Sequence, residues 1–492
     1  MWQSKNSSNQ ASTHVNRARR SGSGRIQPKA SQFGVPLAAG GASPRRAPTV
    51  RDHSKRFLIA VILLLIAGTI LLWLPWTDEP GVSTSLVDAF FTAVSAFAGT
   101  FAVLDTADHW NTFGEAVVLV LIQAGGLGFM VGASLILAVL RRGTSGPGLR
   151  DAVMIRDGSP ALSLRDALHL SRRIVRFTFI AEAAGAILLT ARFSADMPFG
   201  SAAWHGVFTS VSAFCNAGFD LNGGYRSLIP YQSSVAINFI VIALIQAGAL
   251  SYLVWSDIVQ SRRWNALAID TRLILIGNGV LLVVGAVLFL LSEWNRTLRG
   301  QDLVTRLLAS VFQSTSARSA GFQTVDLSQA KDVTLFAYTG LMFIGGAPGS
   351  TAGGIKLTVA GVIVAAILAT LRGETETNLM KRRLPASVFA RAVTITISMG
   401  VALFVVALAL TITENRWGAS PQFLHLLFDS ASALGSVGLS SGITAGLSTA
   451  GKIVLSIAMV FGKVGPLTMA YALQRRQRAQ RYSLPEANVR MG

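Results

Sequence analysis

Long apolar runs without a charged residue recur along the chain. Four of them are 20 to 25 residues long and cover 57–77, 116–140, 273–292 and 392–413. A helix of about 20 apolar residues crosses a hydrocarbon layer about 30 Å thick. Each run is therefore predicted to form one membrane-spanning helix.

Four less regular stretches complete the set of predicted spans. They cover 174–190, 227–256, 333–371 and 453–473. Glu182 interrupts the first stretch, whereas Lys356 and Lys463 lie in the last two. The whole pattern predicts eight spans and an all-α membrane protein.

Composition and charge support a lipid environment. Of the 492 residues, 51% are hydrophobic and 14% are charged, whereas soluble proteins carry about 25% charged residues. The net charge of +19 is concentrated in both tails and in the segments 141–173, 256–272 and 372–391. Because Lys and Arg of short loops stay on the cytoplasmic side, these segments and both termini are predicted to be cytoplasmic.

The tail at 1–56 is basic and has few aromatic residues to build a core, so it is predicted to be disordered. A second basic tail covers 475–492. Such tails either attract anionic membrane lipid or act as topology signals, and the sequence leaves this choice open. No nucleic-acid binding is expected, because no folded basic module accompanies them.

Between the paired spans lies a short segment that repeats four times. In each copy, Phe stands four residues before a Ser-Ala pair, and a glycine follows the serine. The pairs are Phe91 and Ser95, Phe208 and Ser212, Phe312 and Ser316, and Phe428 and Ser432; the glycines are Gly99, Gly218, Gly321 and Gly438. One such glycine alone would most often serve helix packing. Four copies favour four repeats of span, short helix, loop and span.

The physics of such a repeat points to a cation. Phe and Ser at i and i+4 share a helix face, so a half-length helix can be anchored while the chain turns back. Four such helices around one axis would aim their negative dipole ends at the centre. Loop carbonyls that line a cavity there can replace the hydration shell of a monovalent ion.

These segments resemble the Trk/Ktr/HKT superfamily of potassium transporters, most closely its bacterial Ktr-type membrane subunit. The matching segments are SAFCNAGFDLNGG at 212–224, TSARSAGFQTVDL at 315–327, GGAPGSTAGGIKLT at 345–358, ASALGSVGLSSGIT at 431–444 and GKVGPLTMAYAL at 462–473. The resemblance implies four span, pore-helix, span repeats with pseudo-fourfold symmetry around a central ion pore. It also implies a homodimer in the bacterial inner membrane, potassium uptake with sodium as the alternative or coupled ion, and a cytosolic ring of nucleotide-binding regulatory subunits.

The resemblance further implies a selectivity filter for potassium made of backbone carbonyls. The implied filter residues are Gly99, Asn216, Ala217, Gly218, Ser319, Ala320, Gly321, Ser436, Val437 and Gly438. The first loop departs from the family pattern. Since serine in the first filter position accompanies sodium preference in the family and glycine accompanies potassium preference, the choice between the two ions stays open.

A gate is expected within the third repeat. Its second span is interrupted by a cluster of small residues with one proline, and no regular helix tolerates that composition. The implied gate residues are Gly345, Gly346, Gly349, Ser350, Thr351, Gly353, Gly354, Lys356 and Lys463. The alternative for this segment is an ordinary loop between two short helices. The alternative for Lys463 is a side chain that only extends its ammonium group toward the membrane surface.

The predicted organisation follows from these patterns. The repeats cover 57–140, 174–260, 261–371 and 392–474, with the gate loop at 345–356; cytoplasmic linkers cover 141–173 and 372–391. Glu182 is interpreted either as the partner of a pore-side polar group or as a packing residue.

No enzyme activity is expected. The segment GLSTAGK at 446–452 resembles a phosphate-binding loop, but Ile453 stands where Ser or Thr would bind magnesium. His205 and His425 are interpreted as interfacial side chains, and Cys215 as a small buried residue. A transporter with alternating access would show inverted repeats, whereas these repeats are parallel.

Overall fold

The computed structural model describes residues 50–144, 164–374, 376–380, 382–415 and 421–475. Within these ranges the chain is helical, apart from connecting loops and one hairpin of two short strands, Asn378–Leu379 and Arg382–Arg383. Most of the two predicted tails and of the linker 141–173 lies outside the described residues.

Each repeat consists of a first helix, a half-helix and a second helix. In repeat 1 they are Val50–Trp73, Leu86–Ala98 and Thr112–Thr144, with a short helix Thr106–His109. In repeat 2 they are Leu164–Phe193, Phe199–Phe214 and the pair Val235–Ala249 and Ser251–Ser261. In repeat 3 they are Ile269–Glu293, Leu303–Ser316 and the pair Asp332–Phe343 and Leu357–Leu371. In repeat 4 they are Ala386–Asn415, Phe423–Gly435 and Thr449–Arg475. Short 3-10 turns lie at Ile229–Tyr231, Trp264–Ala266, Leu327–Gln329 and Thr444–Gly446.

Four described helical stretches are long and apolar enough to cross a membrane on their own. They are Thr112–Gly132, His169–Phe193, Ile269–Glu293 and Ala386–Asn415. The stretch predicted as one span at 227–256 contains two helices, Val235–Ala249 and Ser251–Ser261, which are apolar enough together to cross a membrane but are bent by 96°. The left-handed φ of 71° at Ser251 lies at this bend and interrupts the helix.

The long helices leave much apolar surface uncovered. In the apolar 18-residue stretch of Ile269–Glu293 only 22% is buried inside the chain, and the same share is buried in that of Ala386–Asn415. Phe404 and Leu291, for example, are 68% and 71% exposed. Such a surface requires lipid around it, so the protein is an integral membrane protein.

The half-helices form the buried centre. The repeated Phe91, Phe208, Phe312 and Phe428 are each 0% exposed. In repeats 2 and 3, the hydroxyl two residues later ties the half-helix to the first helix: Ser210 donates to the Glu182 carbonyl and Ser314 to the Leu282 carbonyl, both at 2.7 Å.

Glycines let the second helices approach the ends of the half-helices. A methyl group added at Gly125, Gly248 or Gly462 would collide with the carbonyl oxygen of Phe97, Phe214 or Leu434, respectively. Each of these carbonyls lies in the last turn of its half-helix. The close approach therefore fixes where each half-helix ends and where its loop begins.

Candidate ion pathway

The loops that follow the half-helices meet at one place. Gly218, Gly321 and Gly438 have φ values of 74°, 77° and 90°, a region that favours glycine. A methyl group added at Gly218 would lie 2.6 Å from the Cα of Gly321, and one added at Gly321 would lie 3.3 Å from the Cα of Gly438. The three predicted glycines therefore lie together, where no larger residue fits without rearrangement.

The first loop completes this circle through Thr100. A methyl group added at Gly438 would lie 3.1 Å from the Cα of Thr100, whereas one added at Gly99 would lie 3.3 Å from the Cα of Ala217. Thr100 is thus level with the three glycines, and Gly99 is level with Ala217. The expected glycine position is displaced by one residue, although Gly99 still makes the left-handed turn of this loop with a φ of 69°.

The main chain of each repeated serine binds the loop that follows its half-helix. Their main-chain carbonyls accept N–H groups of the loops: Ser95 from Gly99 at 2.7 Å, Ser212 from Ala217 at 2.8 Å, Ser316 from Ala320 at 3.0 Å and Ser432 from Val437 at 2.9 Å. The Ser95 carbonyl also accepts the N–H of Thr100, at 3.1 Å. The loop backbones are therefore fixed by their own half-helices.

Several loop carbonyls are left without a partner. Within the described part of the chain, the carbonyl oxygens of Asn216, Ala217, Ser319, Ala320 and Val437 accept no hydrogen bond, and all five residues are buried. The Ser436 carbonyl accepts a bond from the Ser319 hydroxyl at 3.0 Å. Buried carbonyls without donors are unfavourable unless water or a cation satisfies them. The site is thus suited to bind a bare cation.

An acidic residue lies just beyond the second loop. Asp220 is half-buried and accepts the N–H of Asn222 at 3.0 Å. Burial, together with the nearby carboxylate of Asp105, raises the pKa of Asp220 to about 7. Its charge therefore changes near neutral pH.

The interrupted second span of repeat 3 forms a buried loop against these residues. All the predicted small gate residues from Gly345 to Gly354 are buried. The Gly353 N–H lies 3.3 Å from the Ser319 hydroxyl, and a methyl group added at Gly353 would lie 2.5 Å from the Cβ of Ser436. The loop is therefore in direct contact with two of the converging loops.

Two lysines bind the carbonyls of this loop. The Lys463 ammonium donates to the Thr351 carbonyl at 2.6 Å, and the Lys356 ammonium donates to the Ala352 carbonyl at 2.5 Å. Both ammonium groups also face the ring of Phe129, at 5.8 Å and 5.6 Å from its centroid. Phe129 belongs to the second helix of repeat 1, so the lysines connect the loop to a distant helix.

Sequence reasoning missed Phe129 and Thr100. A phenylalanine in an apolar span is usually a packing residue, and its sequence carried no signal of this contact. The sequence did contain a signal for Thr100. Thr100 lies five residues after Ser95, and in the other three loops the glycine follows the serine by five or six residues. Gly99 lies only four residues after Ser95.

Glu182, Cys215 and His205, which the sequence analysis also considered, contact other side chains. The Glu182 carboxylate accepts the Gln123 amide at 3.2 Å and lies 3.7 Å from the Cys215 thiol, which supports the packing interpretation. His205 contacts the ring of Phe193 edge-on. Among the described residues no group of three or more His, Cys, Asp or Glu could hold a metal ion.

Comparison with protein families gives one extensive match. Residues 42–480 match the TrkH family, described as cation transport protein. This range includes all four repeats and the converging loops.

Individual relatives match over most of their length. The potassium/sodium uptake protein NtpJ of Enterococcus hirae is 34% identical over 88% of this chain and 95% of its own. The Ktr system potassium uptake protein B of Bacillus subtilis is 33% identical over the same shares of the two chains. The crystal structure of the potassium transporter TrkH from Vibrio parahaemolyticus is similar with a TM-score of 0.64 at 20% identity, covering 87% of this chain and 86% of that one.

Proposed function

Because the chain belongs to the TrkH family of cation transport proteins, we propose that it takes up potassium through a selectivity filter formed by the four converging loops. The observation that carries this proposal is the set of buried loop carbonyls without hydrogen-bond donors around Gly218, Gly321 and Gly438. Relatives whose names contain potassium uptake support the choice of ion. The pseudo-fourfold arrangement and the repeat boundaries are part of the same proposal.

The filter consists of the loop residues implied by the sequence, with Thr100 added. Gly99, Ala217, Ala320 and Val437 form one level, and Thr100, Gly218, Gly321 and Gly438 form the next. Asn216, Ser319 and Ser436 precede them. Dehydrated monovalent ions would bind the main-chain oxygens in these levels.

The gate is the buried loop with its two lysines. In the observed arrangement, Lys356 and Lys463 occupy loop carbonyls directly beside the filter. Their positive charge opposes a cation on this path. Opening requires the lysines to leave the Thr351 and Ala352 carbonyls.

The cellular setting follows from the same resemblance. The chain lies in the bacterial inner membrane with both termini in the cytoplasm, forms a homodimer surrounded by lipid, and is controlled by a cytosolic nucleotide-binding ring. Relatives named as components of a Ktr system support a multi-component assembly.

Sodium selectivity or sodium coupling is the second candidate. Two observations favour it: Thr100 replaces glycine in the ring, and one relative is named a potassium/sodium uptake protein. A side chain at this level changes the spacing of the carbonyls and so the preferred ion size.

Uptake in bacteria that lack their own potassium uptake tests the proposal. Gly218→Ala places a methyl group against Gly321 at a left-handed backbone position, so rubidium uptake should fall to background. Gly279→Ala is the control, because a methyl group there meets nothing within 4 Å. Wild-type-like uptake by Gly218→Ala at equal membrane expression would contradict the filter.

A further inference from the structure

A buried carboxylate lies behind the fourth loop. Asp429 in the half-helix of repeat 4 is 0% exposed. Its oxygens accept four hydrogen bonds: from the Ser441 N–H at 3.0 Å, the Ser441 hydroxyl at 2.9 Å, the Ser440 hydroxyl at 3.2 Å and the Thr444 hydroxyl at 2.7 Å. All four donors belong to the segment 440–444, directly after the filter residues of this repeat.

No equivalent residue in the other repeats carries a charge. Asp429 follows the repeated Phe428, and the corresponding positions are Thr92, Thr209 and Gln313. Gln313 donates one bond, to the Val325 carbonyl at 3.3 Å, and its own side-chain oxygen has no partner among the described residues. Among these four equivalent positions, only the one in repeat 4 carries a carboxylate.

The segment that Asp429 holds is connected to the neighbouring loops. The Gln323 amide, just after the third filter loop, donates to the Ser440 carbonyl at 3.4 Å. The N–H of Gln323 donates to the Ser227 hydroxyl at 3.0 Å. A hydrogen-bonded chain thus runs from repeat 2 through repeat 3 to repeat 4 and ends at Asp429.

We propose that Asp429 is a positioning residue that determines ion specificity, by anchoring the outer end of the fourth filter loop and the chain of hydrogen bonds that joins it to its neighbours. Charge-assisted bonds are the strongest available inside a protein. A segment held by four of them resists contraction around an ion smaller than potassium, so sodium gains less from binding. This inference rests on the proposed filter.

The test uses the full chain in liposomes and measures rubidium and sodium influx separately. Asp429→Asn keeps the size of the side chain but removes its charge and an acceptor. The rubidium-to-sodium flux ratio should fall by about tenfold, since hydrogen bonds to charged groups contribute most to holding a buried segment. Thr444→Val removes one donor and leaves the carboxylate, so it should lower the ratio in the same direction by a smaller factor.

Glu414→Gln is the matched control in the same repeat. Glu414 is 2% exposed and accepts the Ser448 N–H at 3.1 Å and the Ser448 hydroxyl at 2.8 Å, away from the filter. It should change the amount of folded protein without changing the flux ratio. A wild-type ratio in both Asp429→Asn and Thr444→Val would overturn the inference, because an anchor with a purely structural role alters yield alone. Absence of any cation flux through the wild-type protein would instead contradict the proposed function.

Discussion

Thr100 is the residue at which the four loops differ. The three glycines level with it have left-handed backbones, whereas Thr100 is not among the described residues with positive φ. Its hydroxyl bonds to that of Ser95 at 2.9 Å and donates to the Met459 sulfur at 2.9 Å. The backbone at this position therefore differs from that of the three glycines.

Thr100→Gly should raise the preference for potassium over sodium. Glycine would allow the first loop to adopt the backbone of the other three, so that four equivalent carbonyls face the ion. We expect the rubidium-to-sodium flux ratio in liposomes to rise by about tenfold, or about 1.4 kcal/mol. Thr92→Val, which alters a buried threonine without a hydroxyl partner among the described residues, should leave the ratio unchanged. An unchanged ratio in Thr100→Gly would remove Thr100 from the filter.

Asp220 should make uptake depend on pH. Its raised pKa of about 7 means that the carboxylate is charged above that pH and neutral below it. The negative charge attracts cations to the pathway, so lowering the pH should raise the KM for potassium by about fivefold, equivalent to about 1 kcal/mol. Asp220→Asn should show the high KM at every pH. A pH profile that Asp220→Asn leaves intact would assign the effect to another group.

At the scale of single elements, helix contacts position the loops. The second helices of repeats 1, 2 and 4 each place a glycine against the end of a half-helix, as Gly248 does against the Phe214 carbonyl. Because interiors are closely packed, an added methyl group there must push the half-helix away.

Gly248→Ala should destabilise the protein by about 1–3 kcal/mol through this overpacking. Gly400→Ala is the control, since a methyl group at Gly400 in the first helix of repeat 4 meets nothing within 4 Å. The Tm in detergent should fall for Gly248→Ala and stay or rise for Gly400→Ala, where alanine favours the helix. Equal Tm values for the two variants would show that the contact is not tight.

The gate loop is the second element with a testable role. Lys463→Met keeps the length of the side chain but cannot donate to the Thr351 carbonyl. Without this bond the loop should leave the path more readily, and flux without a regulatory subunit should increase by about tenfold. Lys331→Met, outside the loop, is the control. Flux like that of the wild type in Lys463→Met would exclude Lys463 from gating.

At the scale of the whole molecule, hydrogen bonds and ion pairs join each repeat to the next beyond the filter. Asp108 accepts the Gly224 N–H at 2.8 Å between repeats 1 and 2, and Gln323 connects repeats 2, 3 and 4. Between repeats 4 and 1, Lys452 and Asp88 form an ion pair at 2.6 Å. These contacts connect repeats 1, 2, 3 and 4 in a closed series.

The sequence predicted the four half-helices and the loops that follow them, because these elements repeat as short motifs along the chain. The Phe–Ser spacing located the half-helices, because residues at i and i+4 share a helix face whatever lies around them. Contacts between segments that lie far apart in the sequence were harder to predict from it. The register at Thr100 depends on the neighbouring loop, the pairing of Phe129 with two lysines depends on packing, and the bend at Ser251 follows from tertiary contacts rather than from composition.

In the proposed filter, backbone carbonyls of four loops bind the transported ion. Anomalous diffraction from crystals grown with thallium(I), a monovalent cation close to potassium in size, tests it directly. We expect anomalous peaks enclosed by the main-chain oxygens of the loops around Gly218, Gly321, Gly438 and Thr100. Peaks found only at acidic surface residues, with none among the loops, would contradict it.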